Sequence, residues 1–319
     1  MNRVTVVIPN YNGKEFIDKC MLHLTKQDFT DFKVIVTDNG SKDGSGEMAL
    51  KYSDRLNVEL VELGDNYGFS RAVNEGIVRS DSEYVILLNN DAYAGKHFIK
   101  ELVNKMDSDE NIFAAQALML QYSDKNLVDG AGDYFSAMGW GFAWGKDGEA
   151  KNYMQERDVF SCCAGAAIYR KSILDEIGLF DENFFAYLED MDIGYRARLY
   201  GYRNVIVPKA KVLHVGSGSS GSRHNSFKVG LSSRNSFLVM HKNFAPWQWV
   251  VNFPFIFAGF CIKSVYFVRK GLARDYIKGV FSSFSKRKDL VKTKASDKKF
   301  YRRIESELLS NCFLRLKKK

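Results

Sequence analysis

Val4-Thr5-Val6-Val7-Ile8-Pro9-Asn10-Tyr11-Asn12 decides how the rest of the chain is read, because an apolar β-branched run stops abruptly in a polar turn. Such a run suits a pleated backbone and predicts a first strand. The pattern recurs at Lys33–Thr37, Val58–Leu63 and Tyr84–Leu88, with helical spacing near residues 15–26, 44–53, 69–79 and 96–107. Strands alternating with crossover helices predict an α/β fold: a doubly wound, mostly parallel sheet with helices on both faces. Ligands of such sheets sit beyond the carboxyl ends of the strands. The residues there are polar: Pro9–Asn12, then Asp38-Asn39-Gly40-Ser41, Asp65-Asn66-Tyr67-Gly68-Phe69 and Asn89-Asn90-Asp91.

The bulk composition is that of a folded globular chain. Of 319 residues, 45% are hydrophobic and 26% charged, while four prolines and 25 glycines exclude a fibrous or low-complexity protein. The five cysteines have neither metal nor redox spacing, which fits a reducing cytosolic compartment. The first residues run straight into a strand without the apolar core of a secretory signal, so the protein is expected to stay inside the cell. Charge is uneven. Residues 263–319 hold 18 Lys/Arg against 5 Asp/Glu, a surplus of +13, so with a formal total of +8 the first 262 residues carry −5. An acidic body without a nucleic-acid reader motif argues against a nucleic-acid partner, and the basic end points to another anionic surface.

Beyond residue 113 the alternation loosens. Gly130–Gly148 is rich in glycine and aromatic residues, among them Trp140, and predicts a hairpin or loop with a stacking surface. Cys163–Tyr169, Asn204–Pro208 and Val212–Val215 read as strands, and Lys171–Ile177 and 226–243 as helices. Residues 216–222 are all glycine and serine, suited to a linker or a lid. Residues 247–268 are aromatic and apolar, but Gln248, Asn252, Pro254 and Lys263 interrupt them, which favours a helix lying on a membrane over one crossing it. Basic residues follow, up to Lys317-Lys318-Lys319, an arrangement that anchors proteins on an anionic cytoplasmic leaflet.

One acidic cluster stands apart. In Phe184-Phe185-Ala186-Tyr187-Leu188-Glu189-Asp190-Met191-Asp192, three carboxylates fall within four positions. Carboxylates this close repel one another unless a cation, a proton or hydrogen-bond donors need them there. As a helix start they would sit where the helix dipole favours negative charge.

Taken in order, Ile8–Asn12, Val36–Asp43, Asn66–Phe69 with Ala72, Asn74 and Gly76, Leu88–Asp91 and Glu189–Asp192 resemble family 2 glycosyltransferases, most closely their rhamnosyltransferase and galactofuranosyltransferase-like branch. The resemblance covers residues 3 to about 243. It implies a GT-A fold over 1–243, with a nucleotide-sugar half at 1–112 and an acceptor half at 113–243, followed by a helical membrane-associated tail at 244–319. It further implies that Pro9, Tyr11, Asn12, Asp38, Asn66, Gly68, Asn89 and Asn90 bind the nucleotide-sugar, with Tyr11 stacking on the base. A hydrogen bond from base N3–H to Asp38 would favour a UDP- or dTDP-sugar. Asp91 and His214 would hold Mn2+ or Mg2+ on the diphosphate, although Asn89-Asn90-Asp91 keeps only one carboxylate of the usual Asp-x-Asp.

By motif position Asp190 would be the general base of an inverting transfer, with Glu189 and Asp192 placing the acceptor, the loop or Arg196. Trp140 and Arg234 would meet the acceptor or diphosphate. The implied partners are a lipid-linked saccharide acceptor and the inner face of the cell membrane, with rhamnose the leading sugar. Two alternatives are an inert nucleotide-sugar binding protein and a sugar nucleotidyltransferase. The second class usually opens with a glycine-rich triphosphate loop, where this chain has Pro9-Asn10-Tyr11-Asn12-Gly13.

Overall fold

A computed structural model of the chain describes residues 2–216 and 225–314. The glycine-serine segment, from residue 217 on, and Lys317–Lys319 lie outside the described residues. In chain order the elements are β1 (Val4–Asn10), α1 (Lys14–Leu24), β2 (Phe32–Asp38), α2 (Ser45–Leu50), β3 (Val58–Glu62), α3 (Phe69–Val78), β4 (Tyr84–Leu88), β5 (Ala92–Ala94), α4 (Phe98–Asp107) and β6 (Ile112–Gln121). There follow β7 (Val128–Gly130), β8 (Asp133–Phe135), β9 (Gly141–Ala143), β10 (Arg157–Val159), β11 (Ala166–Arg170), α5 (Lys171–Ile177), α6 (Glu189–Leu199) and β12 (Arg203–His214). The chain closes with α7 (Ser226–Asn243), α8 (Pro246–Arg269), α9 (Ala273–Lys286) and α10 (Lys298–Leu314).

The main sheet runs β10-β12-β6-β11-β4-β1-β2-β3, with β5 added beside β12 and β7 beside β6. Strands β3, β2, β1 and β4 pair in parallel, as do β6 and β12, while β11 is inserted antiparallel between the two sets. β1 explains why both faces are covered. Val7 points to a core shared with Val73 and Ile77 of α3 and Leu238 of α7, whereas Val4, Val6 and Ile8 point to a core shared with Ile17 of α1 and Leu102 of α4. All four β1 side chains are fully buried, each contributing about 1.5–3 kcal/mol. The fold is thus mixed α/β with a mostly parallel central sheet, as expected.

Two local readings change. The expected strands at Asn204–Pro208 and Val212–Val215 are one strand, β12, whose register against β6 slips between Val207 and Lys211. Pro208 has no N–H for a ladder, so the irregularity falls where the proline requires it. The tail from 244 on is not a separate body. Ile304, Leu308 and Cys312 of α10 belong to the same core as the sheet, and Asn311 donates to the Phe135 carbonyl at 2.8 Å.

The polar residues of α8 have an inward explanation. Gln248 and Asn252 donate to Glu305 Oε2 at 2.7 and 3.1 Å, and with Ile256 and Gly259 they make one buried stripe. Gly259 is required there, because a Cβ would stand 2.7 Å from the Met138 carbonyl oxygen. The opposite face, with Val250, Phe253, Phe257, Val265 and Val268, is exposed. By length and composition alone α8 is apolar enough to cross a membrane, with a mean hydropathy of 1.6 over its best window.

Candidate active site

A cavity of about 680 Å³ opens beyond the carboxyl ends of β1 and β4. Of the residues expected to bind or react, Pro9, Tyr11, Asn66, Gly68, Asn89, Asn90, Asp91, Glu189, Asp190 and His214 all line it. Parallel strands place their terminal turns side by side, which is why motifs far apart in sequence meet here.

On the nucleotide side, Tyr11 keeps 41% of its surface exposed and presents a ring for stacking. Asp38 is placed differently from the expectation. Its Oδ1 accepts from Asn10 Nδ2 at 2.8 Å and Ser41 Oγ at 2.6 Å, and its Oδ2 from Ser41 N at 2.9 Å, so it ties β1 to the turn after β2 and does not line the cavity. Asn12 likewise fixes that turn by accepting from Lys42 N at 3.0 Å. Gly68 lines the cavity, but the close approach it permits is to protein: at φ +89° a Cβ would lie 2.5 Å from the Phe185 carbonyl oxygen.

Across the cavity, antiparallel pairing of β5 with β12 sets His214 opposite Ala92 and so beside Asp91. His214 Nε2 is 3.2 Å from Asp91 Oδ1, and its Nδ1 is 2.8 Å from Asp129 Oδ2, which also pairs with Lys146. Burial alone would lower the His214 pKa, but Asp129 and Asp91 overcome it and raise the value to about 9. A ring whose far nitrogen is held by a carboxylate, with its near nitrogen beside a second carboxylate, fits a divalent cation. Asp91 and His214 are the residues that would hold Mn2+ or Mg2+, with few protein ligands needed once diphosphate oxygens and water fill the remainder.

The acidic cluster divides in two. Glu189 and Asp190 line the cavity at the start of α6, whereas Asp192 is fully buried and accepts from Arg196 Nε at 3.0 Å, Lys242 Nζ at 3.0 Å and Asn243 Nδ2 at 2.8 Å. Asp192 is therefore corrected to a structural anchor, and of its expected partners it keeps Arg196. Burial raises the Asp190 pKa even though the Met191 and Ala164 amides donate to it. Burial and then Asp190 raise Glu189, whose Oε2 has no hydrogen-bond partner among the described residues.

Sequence reasoning missed Asp133. Carboxylate oxygens of Asp133 and Asp190 and the sulfur of Cys163 lie within 4.8 Å of one another, and burial followed by Asp190 pushes the Asp133 pKa up. Asp133 sits in the glycine-aromatic segment, where only the pairing of β8 with β9 and the bridge to Ser161 bring it to the cavity.

The loop before α6 is strained. Phe185, Tyr187 and Leu188 all have positive φ, at 62°, 71° and 67°, which costs about 1–3 kcal/mol each for residues other than glycine. Side chains of α7 hold it. Asn235 Nδ2 lies 2.9, 2.9 and 2.6 Å from the carbonyl oxygens of Phe184, Ala186 and Tyr187, and Arg234 Nη2 donates to Asn183 and Phe184 at 3.1 and 2.9 Å. Arg234 thus positions the loop that carries the acids and does not line the cavity, contrary to its expected diphosphate role. Trp140 also stays off the cavity wall, in a groove against α8, where Lys263 Nζ lies 5.3 Å from its ring centroid. Lys263 does reach the cavity.

The profile of Glycosyl transferase family 2 matches residues 5–178. An N-acetylglucosaminyl-diphospho-decaprenol L-rhamnosyltransferase of Mycobacterium tuberculosis is 24% identical over 303 residues, covering 85% of this chain and 94% of that protein. The poly(ribitol-phosphate) β-N-acetylglucosaminyltransferase TarS of Staphylococcus aureus is 30% identical, over 34% of this chain and 19% of its own length. The mannosyltransferase PcManGT of Pyrobaculum calidifontis, solved with GDP-Man and Mn2+, superposes with a TM-score of 0.58 at 15% identity, over 89% of this chain and 87% of its own. GalNAc-T7, solved with UDP, GalNAc and Mn2+, superposes at 0.63 and 14% identity, over 100% of this chain and 56% of its own. The fold is of the GT-A type, and the chain belongs to glycosyl transferase family 2.

Proposed function

We propose that this glycosyltransferase moves a sugar, rhamnose as the leading candidate, from a dTDP- or UDP-sugar to a lipid-linked or growing cell-surface saccharide, with inversion at the anomeric carbon. The observation that carries this reading is the meeting of two chemistries in one cavity: Asp91 with His214 on one wall, Glu189 with Asp190 on the other. A divalent cation held by Asp91 and His214 would neutralise charge on the departing diphosphate. Asp190 accepts the proton of the attacking acceptor hydroxyl, and its buried setting suits a base that must compete for that proton. Tyr11 stacks on the base of the nucleotide, Asn66 lets its backbone approach the nucleotide closely, and Asn89 offers hydrogen bonds to the ribose or diphosphate. One base acting on one bound acceptor gives direct displacement, with proximity supplying much of the rate.

The docked inner stripe of α8 and its exposed outer face suit a helix lying on the inner face of the cell membrane, where a lipid-linked acceptor would be presented. The experiment is transfer of radiolabelled sugar from dTDP-rhamnose, UDP- and GDP-sugars to N-acetylglucosamine linked through diphosphate to a polyprenol, with Mn2+ present. Transfer from a dTDP- or UDP-sugar is expected. Transfer from a GDP-sugar alone, or hydrolysis without transfer, would sink the reading.

A further inference from the structure

Apart from the active site, a second cavity of about 500 Å³ lies where the carboxyl ends of α7 and α9 meet the first turn of α8. Its lining is His241, Trp249, Phe284, Arg287, Lys288 and Lys292. The three cations come from the segment that follows α9, and among the described residues none of them has a carboxylate partner, whereas neighbouring Lys286 pairs with Asp289 at 3.6 Å. The three rings form a floor: the His241 ring is 5.0 Å from Trp249 and 5.4 Å from Phe284, centroid to centroid.

His241 Nε2 is buried and has no hydrogen-bond partner among the described residues. Burial, then Arg287 and Lys292, lower its pKa to about 4, so the ring stays neutral. Arg287, Lys288 and Lys292 are exposed and solvated, with Arg287 5.7 Å from the Phe284 ring centroid, so the unmatched polar group of this lining is His241 Nε2. The ligand that satisfies it is an anion able to take an imidazole N–H and several cationic donors at once, which describes a phosphate.

The surroundings select the source of that phosphate. Next to Trp249, Val250 is 77% exposed, Phe281, one turn before Phe284, is 65% exposed, and Trp247 also faces outward. Aromatic side chains beside lysine and arginine are the signature of a membrane–water interface, where a phosphodiester headgroup sits above an apolar layer. The carbonyl ends of α7 and α9 disfavour an anion, and three cations outweigh that partial charge.

We infer that this cavity is a binding site for the phosphate of an anionic glycerophospholipid headgroup, seating the C-terminal helices on the membrane. The inference rests on the membrane reading proposed above and gives it a specific contact. One non-bridging oxygen of the headgroup phosphate meets Arg287, Lys288 and Lys292, the other accepts from His241 Nε2–H, and the adjoining chains lie against Val250 and Phe281. Trp249 walls the site.

The test is cosedimentation of the whole protein with phosphatidylcholine vesicles carrying phosphatidylglycerol, at physiological salt. Changing Arg287, Lys288 and Lys292 together to Gln should weaken binding about a hundredfold, at roughly fivefold per charge. Changing Lys270, Arg274 and Lys278 to Gln removes the same charge from outside the cavity and should cost less than tenfold. Equal losses would mean diffuse attraction and overturn the site. Calorimetry with glycerol 3-phosphate supplies the second reading. His241→Phe keeps the ring and the net charge, and it should weaken binding several-fold. Unchanged affinity, or inorganic phosphate binding as tightly as glycerol 3-phosphate with no preference for anionic vesicles, would overturn the headgroup assignment. Failure of the unaltered protein to bind any vesicle overturns the membrane reading itself, an outcome distinct from failure of the site.

Discussion

Nε2 of His214 stands 3.2 Å from Oδ1 of Asp91, a relationship created by the pairing of β5 with β12. Each residue alone is a weak ligand, so the orientation of the imidazole matters as much as its presence. That orientation is set by Asp129, whose Oδ2 lies 2.8 Å from Nδ1. Asp129→Asn should therefore weaken Mn2+ binding about 10–100-fold while leaving the fold intact. Calorimetric titration of Mn2+ in the presence of UDP measures it, and an unchanged affinity would remove Asp91 and His214 from a metal role. On the same assignment EDTA should abolish transfer and added Mn2+ restore it.

Asp190→Asn keeps the shape of the side chain but cannot accept a proton at neutral pH. Transfer should fall by at least about a hundredfold, and nucleotide-sugar affinity should stay within a factor of a few. Glu189→Gln, one residue away, tests the choice between the two acids, since its effect should be smaller. Near-normal turnover by the Asp190 variant would transfer the role of base elsewhere in the cluster.

Asp133 gives the pair a pH signature. Burial raises both carboxylates above their usual range, and Asp190 raises Asp133 further, so at a given pH a larger share of the base is protonated and idle and the acid limb of the kcat/KM profile should lie above the ordinary carboxylate range. Asp133, raised by the charge on Asp190, keeps its proton while Asp190 ionises, so the neutral Asp133→Asn should leave that acid limb in place. A clear shift of the limb in either direction would mean that Asp133 carries charge while Asp190 titrates.

The parts of this molecule that were legible in the sequence are those with local causes. β-Branched runs gave β1 to β4 nearly to the residue, and helical spacing gave α5 and α7. β12 read as two strands because Pro208 interrupts a ladder whose other side cannot be seen from one segment. Cavity-lining residues were legible where they end strands, as with Tyr11, Asn66 and Asp91. Asp133, Asp129 and Asn235 were not, because each acts only on partners distant in the chain, across strand pairings or helix contacts that leave no periodicity. For the same reason Asp38, Asn12 and Arg234, all polar and next to motifs, were read toward ligand although their bonds go to protein.

Asn235 holds a loop that would otherwise relax. Three residues with positive φ precede α6, and the Asn235 amide meets three of the loop's carbonyls. Asn235→Ala should let the acids drift and lower kcat about tenfold or more, with a smaller change in donor KM. An effect on stability with no effect on kcat in the folded fraction would make Asn235 a packing residue only.

Asp192 is tested through stability. It is fully buried between Arg196 and Lys242, and those cations, against the opposing effect of burial, hold its pKa below the usual range. A carboxylate depressed in the folded state stabilises above its unfolded pKa, about 4, and that contribution is lost as pH falls through the folded value. Asp192→Asn preserves the shape but leaves Arg196 without its carboxylate and Lys242 with Asp181 alone. The cost should be about 3 kcal/mol, read as a lower urea midpoint at pH 7. Below pH 4 the difference from the parent should shrink, because the parent carboxylate is then being neutralised as well. A gap that stays constant from pH 7 to pH 3 would mean that hydrogen bonding, not charge, is what Asp192 supplies.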